Sequence, residues 1–495
     1  MMGLSFTSRG TKALLGLGLV GAMLIPSGQF GSSSVHAMRA AKINHDPNTL
    51  IIGSQYGDPQ NFDPIATFTL AWGMIGSNIF DPLIYRGPNL KIDPSKGLAT
   101  SWKYLNPTTL QLKLRKGVTF QDGEPFNADA VKFTFDRLAS PFGQKGAQYF
   151  QYKNIKEVTV VDPYTVNIIN KVPNPVTITE LAGYGAMIVP PAYIKKHGNA
   201  YFATHPIGTG AYMVTKYVPN SEVDLARYDK YWGGPAKMAK VIYDFIPTDA
   251  TRLADLQTGR IDIMQKVATG QVSVVKGDSS LKLLPVGSPT VYGVFINSSK
   301  APLNNVLVRQ AINYAIDTST IVKDILDGYG VPVATWQSAA SFGNDPSLKP
   351  YPYDPTKAKA LLAQAHFDGS KTINFTIDGT DTVFKQEAEV MVAELQQVGI
   401  KVNLQTVAPT VLYNTDIPKR TYDMAEFGWG GWTLDFDNTA YSLYYTGQFY
   451  NMGYSNPTLD RLLTAARSTL DSAKRLAAYK QADAILYHDV PNAAL

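Results

Sequence analysis

An α/β fold in two lobes is what this sequence predicts, and three observations predict it. The chain has 495 residues, too many for a single hydrophobic core. Its second half alternates amphipathic helices with short apolar strands, the pattern of a sheet covered by helices. Between Pro285 and Pro302, turns marked by proline and glycine flank an apolar run, the composition of a boundary between lobes.

The N-terminal segment is a leader. Met1 to Lys12 carries Arg9 and Lys12 without an acid, Ala13 to Ile25 is apolar, and Pro26 to Ala37 is rich in small residues and ends Val35-His36-Ala37. That is the build of a secretory signal peptide over residues 1–37, cleaved near Ala37. Its apolar run is shorter than the roughly 20 residues a membrane span needs. The dinucleotide-like Gly16-Leu17-Gly18-Leu19-Val20-Gly21 lies inside this run with no strand before it, and is discarded. No later run is long enough to cross a bilayer, so the mature chain is expected to be soluble.

The mature fold opens on a short strand, Leu50 to Gly53, and the turn-rich GDPQNFDP. A helix is expected from Thr69 until Asp81-Pro82 stops it. Thr109 to Leu114 alternates apolar and polar residues as a strand does, with a turn at Lys116-Gly117 and a second strand at Val118 to Phe120. Asn127 caps a helix from Ala128 to Leu138 whose Val131, Phe135 and Leu138 share one face. Pro206 to Gly210 reads as a tight turn entering a strand. Thr248 to Thr258 is a helix ended by Gly259, followed by the strand Ile261 to Ile263. Val291 to Ile296 is a strand, expected to serve as the crossover between lobes. Beyond it, helices are expected at Val306 to Ile316, Ile321 to Leu326, Pro355 to Ala365 and Phe384 to Val398, with strands at Ile373 to Ile377 and Val402 to Leu404.

Composition removes several function classes. The formal net charge is +5, and losing Arg9 and Lys12 with the leader leaves +3, too mild to imply nucleic acid. There is no cysteine, which excludes disulfides, thiol catalysis, cysteine metal sites and a lipidated N-terminal cysteine. The six histidines are dispersed without His-x-x-x-His spacing, and neither G-x-S-x-G nor G-x-x-x-x-G-K-[ST] occurs. No nucleophile or acid/base set stands above background, and no cofactor is implied.

The stretch Tyr422 to Tyr454 carries Trp429 and Trp432 among many other rings, with Gly428, Gly430 and Gly431 between them and Asp435, Asp437 and Asn438 after them. The glycines place the tryptophans on an irregular loop, where recognition residues tend to sit. Rings plus a few fixed polar atoms suit a small-molecule cleft; they equally suit the core of a large lobe. Asp435 to Asn438 lacks the glycine and terminal glutamate of a calcium loop, so its carboxylates are read as solvated or capping.

From Gly97 to Leu138, GLATSWKYLNPTTLQLKLRKGVTFQDGEPFNADAVKFTFDRL resembles the signature block of the family 5 extracellular solute-binding proteins of peptide, dipeptide and nickel ABC importers. Further blocks follow in the family's order: His205 to Gly234, Phe245 to Met264, Val308 to Asp317, Tyr353 to Ala365 and Gly453 to Leu463. The resemblance implies a noncatalytic, periplasmic, monomeric protein of two lobes that closes on a solute and delivers it to permease subunits in the inner membrane. It implies a first lobe at 38–290 with a subdomain inserted at about 91–204, and a second lobe at 291–488. Residues 489–495 would begin a return to the first lobe, which family members continue well past His488 to Leu495.

The resemblance also assigns a site. In peptide-binding members an aspartate shortly after a tryptophan pairs with the ligand's amino terminus; by spacing from Trp429 that position is Trp432. Either Asp435 or Asp437 supplies the charge from a shifted loop, or the ligand is no free-amine peptide but an opine, a sugar conjugate or a nickel chelate. Thr67 and Trp72 correspond to family positions facing the cleft, although Trp72 also reads as helix-face core. Trp102 is read as scaffold. A third class, a docking or chaperone-like protein with an exposed apolar groove, is separated from these by whether the lobes close on a small ligand.

Overall fold

The computed structural model describes residues 46–495, Phe68 excepted; the expected leader and its cleavage site lie outside them. Three sheets organise the chain. The first runs β6-β7-β8-β1-β9 and the second β12-β11-β13-β10-β14. All strands of the first, from β1 (Thr49–Ser54) through β6 (Tyr212–Val218), β7 (Glu222–Arg227) and β8 (Lys240–Phe245) to β9 (Ile263–Met264), precede all strands of the second. Those are β10 (Val291–Ile296), β11 (Ile373–Asp378), β12 (Val402–Val407), β13 (Met424–Trp429) and β14 (Asn492–Ala494). Two lobes follow from this segregation. A third, wholly antiparallel sheet, β2-β3-β5-β4, interrupts the first between β1 and β6, using Ala99–Asn106, Thr109–Leu114, Ile155–Asp162 and Thr165–Asn170.

Local chemistry accounts for the elements. Asn127 accepts from the backbone N–H groups of Asp129 and Ala130 and starts the helix Ala128–Ala139, whose Val131, Phe135 and Leu138 are buried against the inserted sheet. Gly259 ends the helix Asp249–Thr258 in the left-handed conformation. The turn Pro206 to Gly210 is architectural for a visible reason. A β-carbon on Gly208 or Gly210 would stand 2.0 Å from the Ile79 carbonyl oxygen or 2.5 Å from that of Asn78. Between these glycines Thr209 donates to buried Asp81 at 2.9 Å, and Trp232 Nε1 donates to the same carboxylate at 2.8 Å.

In the second lobe the sheet is buried on both faces. Val294, Ile296 and Met424 pack with Ile312 and Met391 on one side, while Phe295, Ala425 and Phe427 pack with Trp336 and Tyr479 on the other. Each large side chain buried there contributes about 1.5–3 kcal/mol. The inserted helix is tied to the first lobe by the buried Arg137–Asp63 pair, with Arg137 Nη1 at 3.0 Å from Asp63 Oδ1.

Several expectations change. Val291–Ile296 is an interior strand of the second sheet, paired with β13 and β14, rather than the crossover. Residues 492–494 pair antiparallel with β10. Val118 to Phe120 forms only an isolated bridge, Thr119 to Pro125. The expected helix Ile321 to Leu326 is a single wide turn, Ile321–Ile325.

Candidate functional site

The aromatic stretch is less of a loop than its glycines suggest. Met424 to Trp429 is strand β13, in register with β10, so Gly428 sits opposite Tyr292. Glycine is needed there because a β-carbon would stand 2.7 Å from Tyr292 Cε1. Only residues 430–435 form a loop, closed by Leu434 N–H donating to the Gly431 carbonyl at 2.8 Å. The helix Phe436–Tyr444 follows.

Trp429 ends the strand, half-buried, with Phe427 and Tyr450 against it at ring-centroid distances of 6.2 and 5.5 Å. Its indole N–H is buried and has no acceptor. Trp432 points the other way in function. Arg86, from the segment that packs with the inserted sheet, donates through Nη1 to the Trp432 carbonyl and through Nη2 to the Thr433 carbonyl, the latter at 2.9 Å. The Trp432 ring lies on Gly183, with Cζ3 2.6 Å and Cη2 2.9 Å from where a β-carbon on that residue would stand. Trp432 is therefore a contact between the lobes.

The carboxylates beside it are committed inside the second lobe. Asp435 caps the helix Phe436–Tyr444 by accepting from Asp437 N–H at 3.0 Å. Arg475 Nη2 lies 2.7 and 2.8 Å from its two oxygens, and both side chains are almost wholly buried. Asp437 pairs with Arg467 Nε at 2.9 Å. Burial pushes the Asp437 carboxyl up to about 6, although Arg467 draws it down. Asp435 was expected to meet a ligand amine; its charge is instead balanced by Arg475, so neither aspartate is a free counter-ion.

On the first-lobe side Glu180 is buried, with Oε2 accepting from Asn174 Nδ2 at 2.8 Å. Burial pushes its carboxyl up to about 8, and Asp437 from the second lobe adds to the rise. Two weaker ion pairs also join the lobes, Lys266 to Asp381 at 3.9 Å and Lys276 to Asp327 at 3.4 Å. Exposed pairs of this kind contribute roughly 0–1 kcal/mol.

Trp72 requires a correction. It is 0% exposed, with its ring 6.1 Å from Phe80 and 4.8 Å from Tyr184 in the first-lobe core. Tyr184, next in sequence to Gly183, packs on the Trp72 ring, and Trp72 itself is core. Thr67 is half-buried; its carbonyl accepts from Gln148 Nε2 at 2.7 Å and its hydroxyl accepts from Thr69 N–H at 3.2 Å. Arg86, Gly183 and Glu180 were missed. The only trace in the sequence was the pair Gly183-Tyr184-Gly185, since Arg86 is read through carbonyls of residues far along the chain.

A family model described as bacterial extracellular solute-binding proteins, family 5 middle, matches residues 93–451. The chain belongs to that family. The glutathione-binding protein GsiB of Salmonella choleraesuis (strain SC-B67) is 31% identical over 396 residues, 77% of this chain and 76% of that protein. A dipeptide-binding protein from Pseudoalteromonas sp. SM9913, solved with Met-Leu, shares the fold with a TM-score of 0.78 and 25% identity over 90% of this chain and 93% of that one. The binding protein MoaA of A. tumefaciens R10, solved with mannopinic acid, gives a TM-score of 0.76 and 25% identity over 90% and 92%. Family 5 proteins are extracellular or periplasmic components that bind small solutes or peptides and deliver them to ABC permeases. Among the described residues, no helix is long and apolar enough to cross a membrane.

Proposed function

We propose that this family 5 protein captures a small solute, foremost a peptide, in the cleft between its lobes and hands it to the permease of an ABC importer. It acts as a monomer in the periplasm after cleavage near Ala37, and it catalyses nothing. Its working lobes are residues 38–290, with the insertion at about 91–204, and residues from 291 onward. Trp429, Trp432 and Thr67 line the cleft. Trp72 supports it from the first-lobe core, and Asp435 holds the loop in place.

The observation that carries the reading is the contact of Trp432 with Gly183 and Arg86, because it makes an aromatic residue of the second lobe part of the surface on which the first lobe closes. Closure of this kind shifts toward the liganded state when ligand touches both lobes. The peptide label is supported by relatives whose names and complexes record glutathione and Met-Leu. A second reading, an opine-like acid, is favoured by the pairing of Asp435 with Arg475 and Asp437 with Arg467. That pairing leaves this loop without a free carboxylate for an amine. Mass spectrometry of solute carried through native purification tests the choice: a peptide is expected, and a non-peptide solute overturns the label. A docking protein with an open apolar groove would carry no small solute and would not close.

A further inference from the structure

We propose that Arg86 is the receptor for a carboxylate of the bound solute, at the seam where the two lobes meet. This rests on the solute-binding reading and adds the chemical class of the group recognised.

Arg86 is half-buried, and among the described residues its guanidinium is partnered by the carbonyls of Trp432 and Thr433. A guanidinium fork carries more N–H donors than two carbonyls use, and Nε is among those left. Among the described residues, no carboxylate lies within ion-pair distance of it. Removal from water lowers its affinity for its proton. A desolvated cation is costly unless an anion matches it.

Other buried arginines are matched. Arg475 has Asp435, Arg467 has Asp437 and Arg137 has Asp63. Arg309 is also held by carbonyls, but it uses Nε, Nη1 and Nη2 together on residues of its own lobe. Arg420 likewise donates to Asn451 and Gln448 within the second lobe. Arg86 alone among these reaches across the lobes and keeps donors to spare.

Nor does any neighbouring acid take the place of a counter-ion. Asp435 and Asp437 are paired, and Glu180, with its carboxyl pushed up to about 8, is largely protonated at neutral pH. Among the described residues, Arg86 is thus a positive charge at the seam without a counter-ion, and its fork geometry suits a carboxylate bound through two parallel N–H bonds. Because the same guanidinium grips the Trp432 loop, a carboxylate docked on it links solute binding to closure. The unpartnered indole N–H of Trp429, at the strand end leading into that loop, is a second donor for an acid oxygen or a peptide carbonyl.

The test uses Met-Leu, glutathione and mannopinic acid, each as the free acid and as its carboxamide, titrated calorimetrically into the wild-type protein, Arg86→Lys and Arg86→Met. Thermal melts confirm that each variant is folded. The expected result is that at least one free acid binds the wild type and its amide binds roughly tenfold or more weakly. Arg86→Met should bind acid and amide alike, and Arg86→Lys should keep part of the preference because it keeps the charge but not the fork. Acid and amide binding equally to the wild type overturns the proposal, as does a preference that survives Arg86→Met. Peptides that bind without regard to amidation leave the peptide reading standing and remove the subsite. Mannopinic acid binding alone, through Arg86, keeps the subsite and removes the peptide reading. If none of the acids binds, the subsite falls.

Discussion

The Trp432 ring of the second lobe rests on Gly183 of the first, so closely that Cζ3 is 2.6 Å from the position of a β-carbon on residue 183. A methyl group there would also meet the Tyr152 hydroxyl at 2.6 Å. Two neighbours would have to give way at once. Gly183→Ala should therefore strain the closed state by about 1–3 kcal/mol, weakening solute affinity roughly tenfold. Opening the lobes relieves the Trp432 clash but not the one with Tyr152, which lies in the same lobe as Gly183, so the melting temperature of solute-free protein should fall modestly while solute affinity falls as well. A drop in melting temperature with unaltered affinity would show that residue 183 serves the fold instead.

Asp435→Asn separates pairing from ligand recognition. Asparagine caps a helix as well as aspartate, so the loss is the charge opposite Arg475. Breaking one side of a buried pair costs about 3–5 kcal/mol, read as a lower midpoint in chemical denaturation. Affinity of the folded fraction for free-amine and amino-acetylated peptides should fall by the same factor. A selective loss for the free amine would restore Asp435 as an amine anchor.

Trp72→Ala should cost about 3–5 kcal/mol, as removal of a wholly buried indole does, and leave binding by the folded fraction intact. A change in solute selectivity would return Trp72 to the cleft wall.

The helix Ala128–Ala139 and strand β1 were legible because their signals are local: a cap three residues from the group it serves, and a short apolar run between turns. Trp72 was ambiguous because the helix Leu70–Ile79 is apolar nearly all round, and buries Trp72, Gly73, Ile75, Gly76 and Ile79. Gly428 misled in the opposite direction. It reads as a loop residue, yet it is a strand residue whose missing side chain makes room for Tyr292. The partners of the site are the least visible. Arg86 finds its carbonyl 346 residues later, and a carbonyl carries no residue identity that a sequence could display. Asp435 finds Arg475 across 40 residues, and nothing in either segment marks them as a pair.

Glu180 gives a pH dependence with a definite sign. Its carboxyl is raised from 4.5 to about 8 in the folded protein, so the folded state holds the proton more tightly than the unfolded chain. Its contribution to stability is fully present below about 4.5 and is lost as pH rises through about 8. Glu180→Gln removes this term, so the variant should gain stability relative to the wild type between those values. Parallel melting curves for the two proteins across that range would count against a buried, proton-holding Glu180.

The central claim is that the two lobes close on a small solute at the contact of Trp432 with Gly183 and Arg86. Small-angle X-ray scattering tests it most directly, on protein stripped of solute by unfolding and refolding, before and after the solute recovered from native purification is restored. The radius of gyration should be smaller with solute than without, and the contraction weaker in Gly183→Ala. An unchanged radius at saturating solute would contradict it.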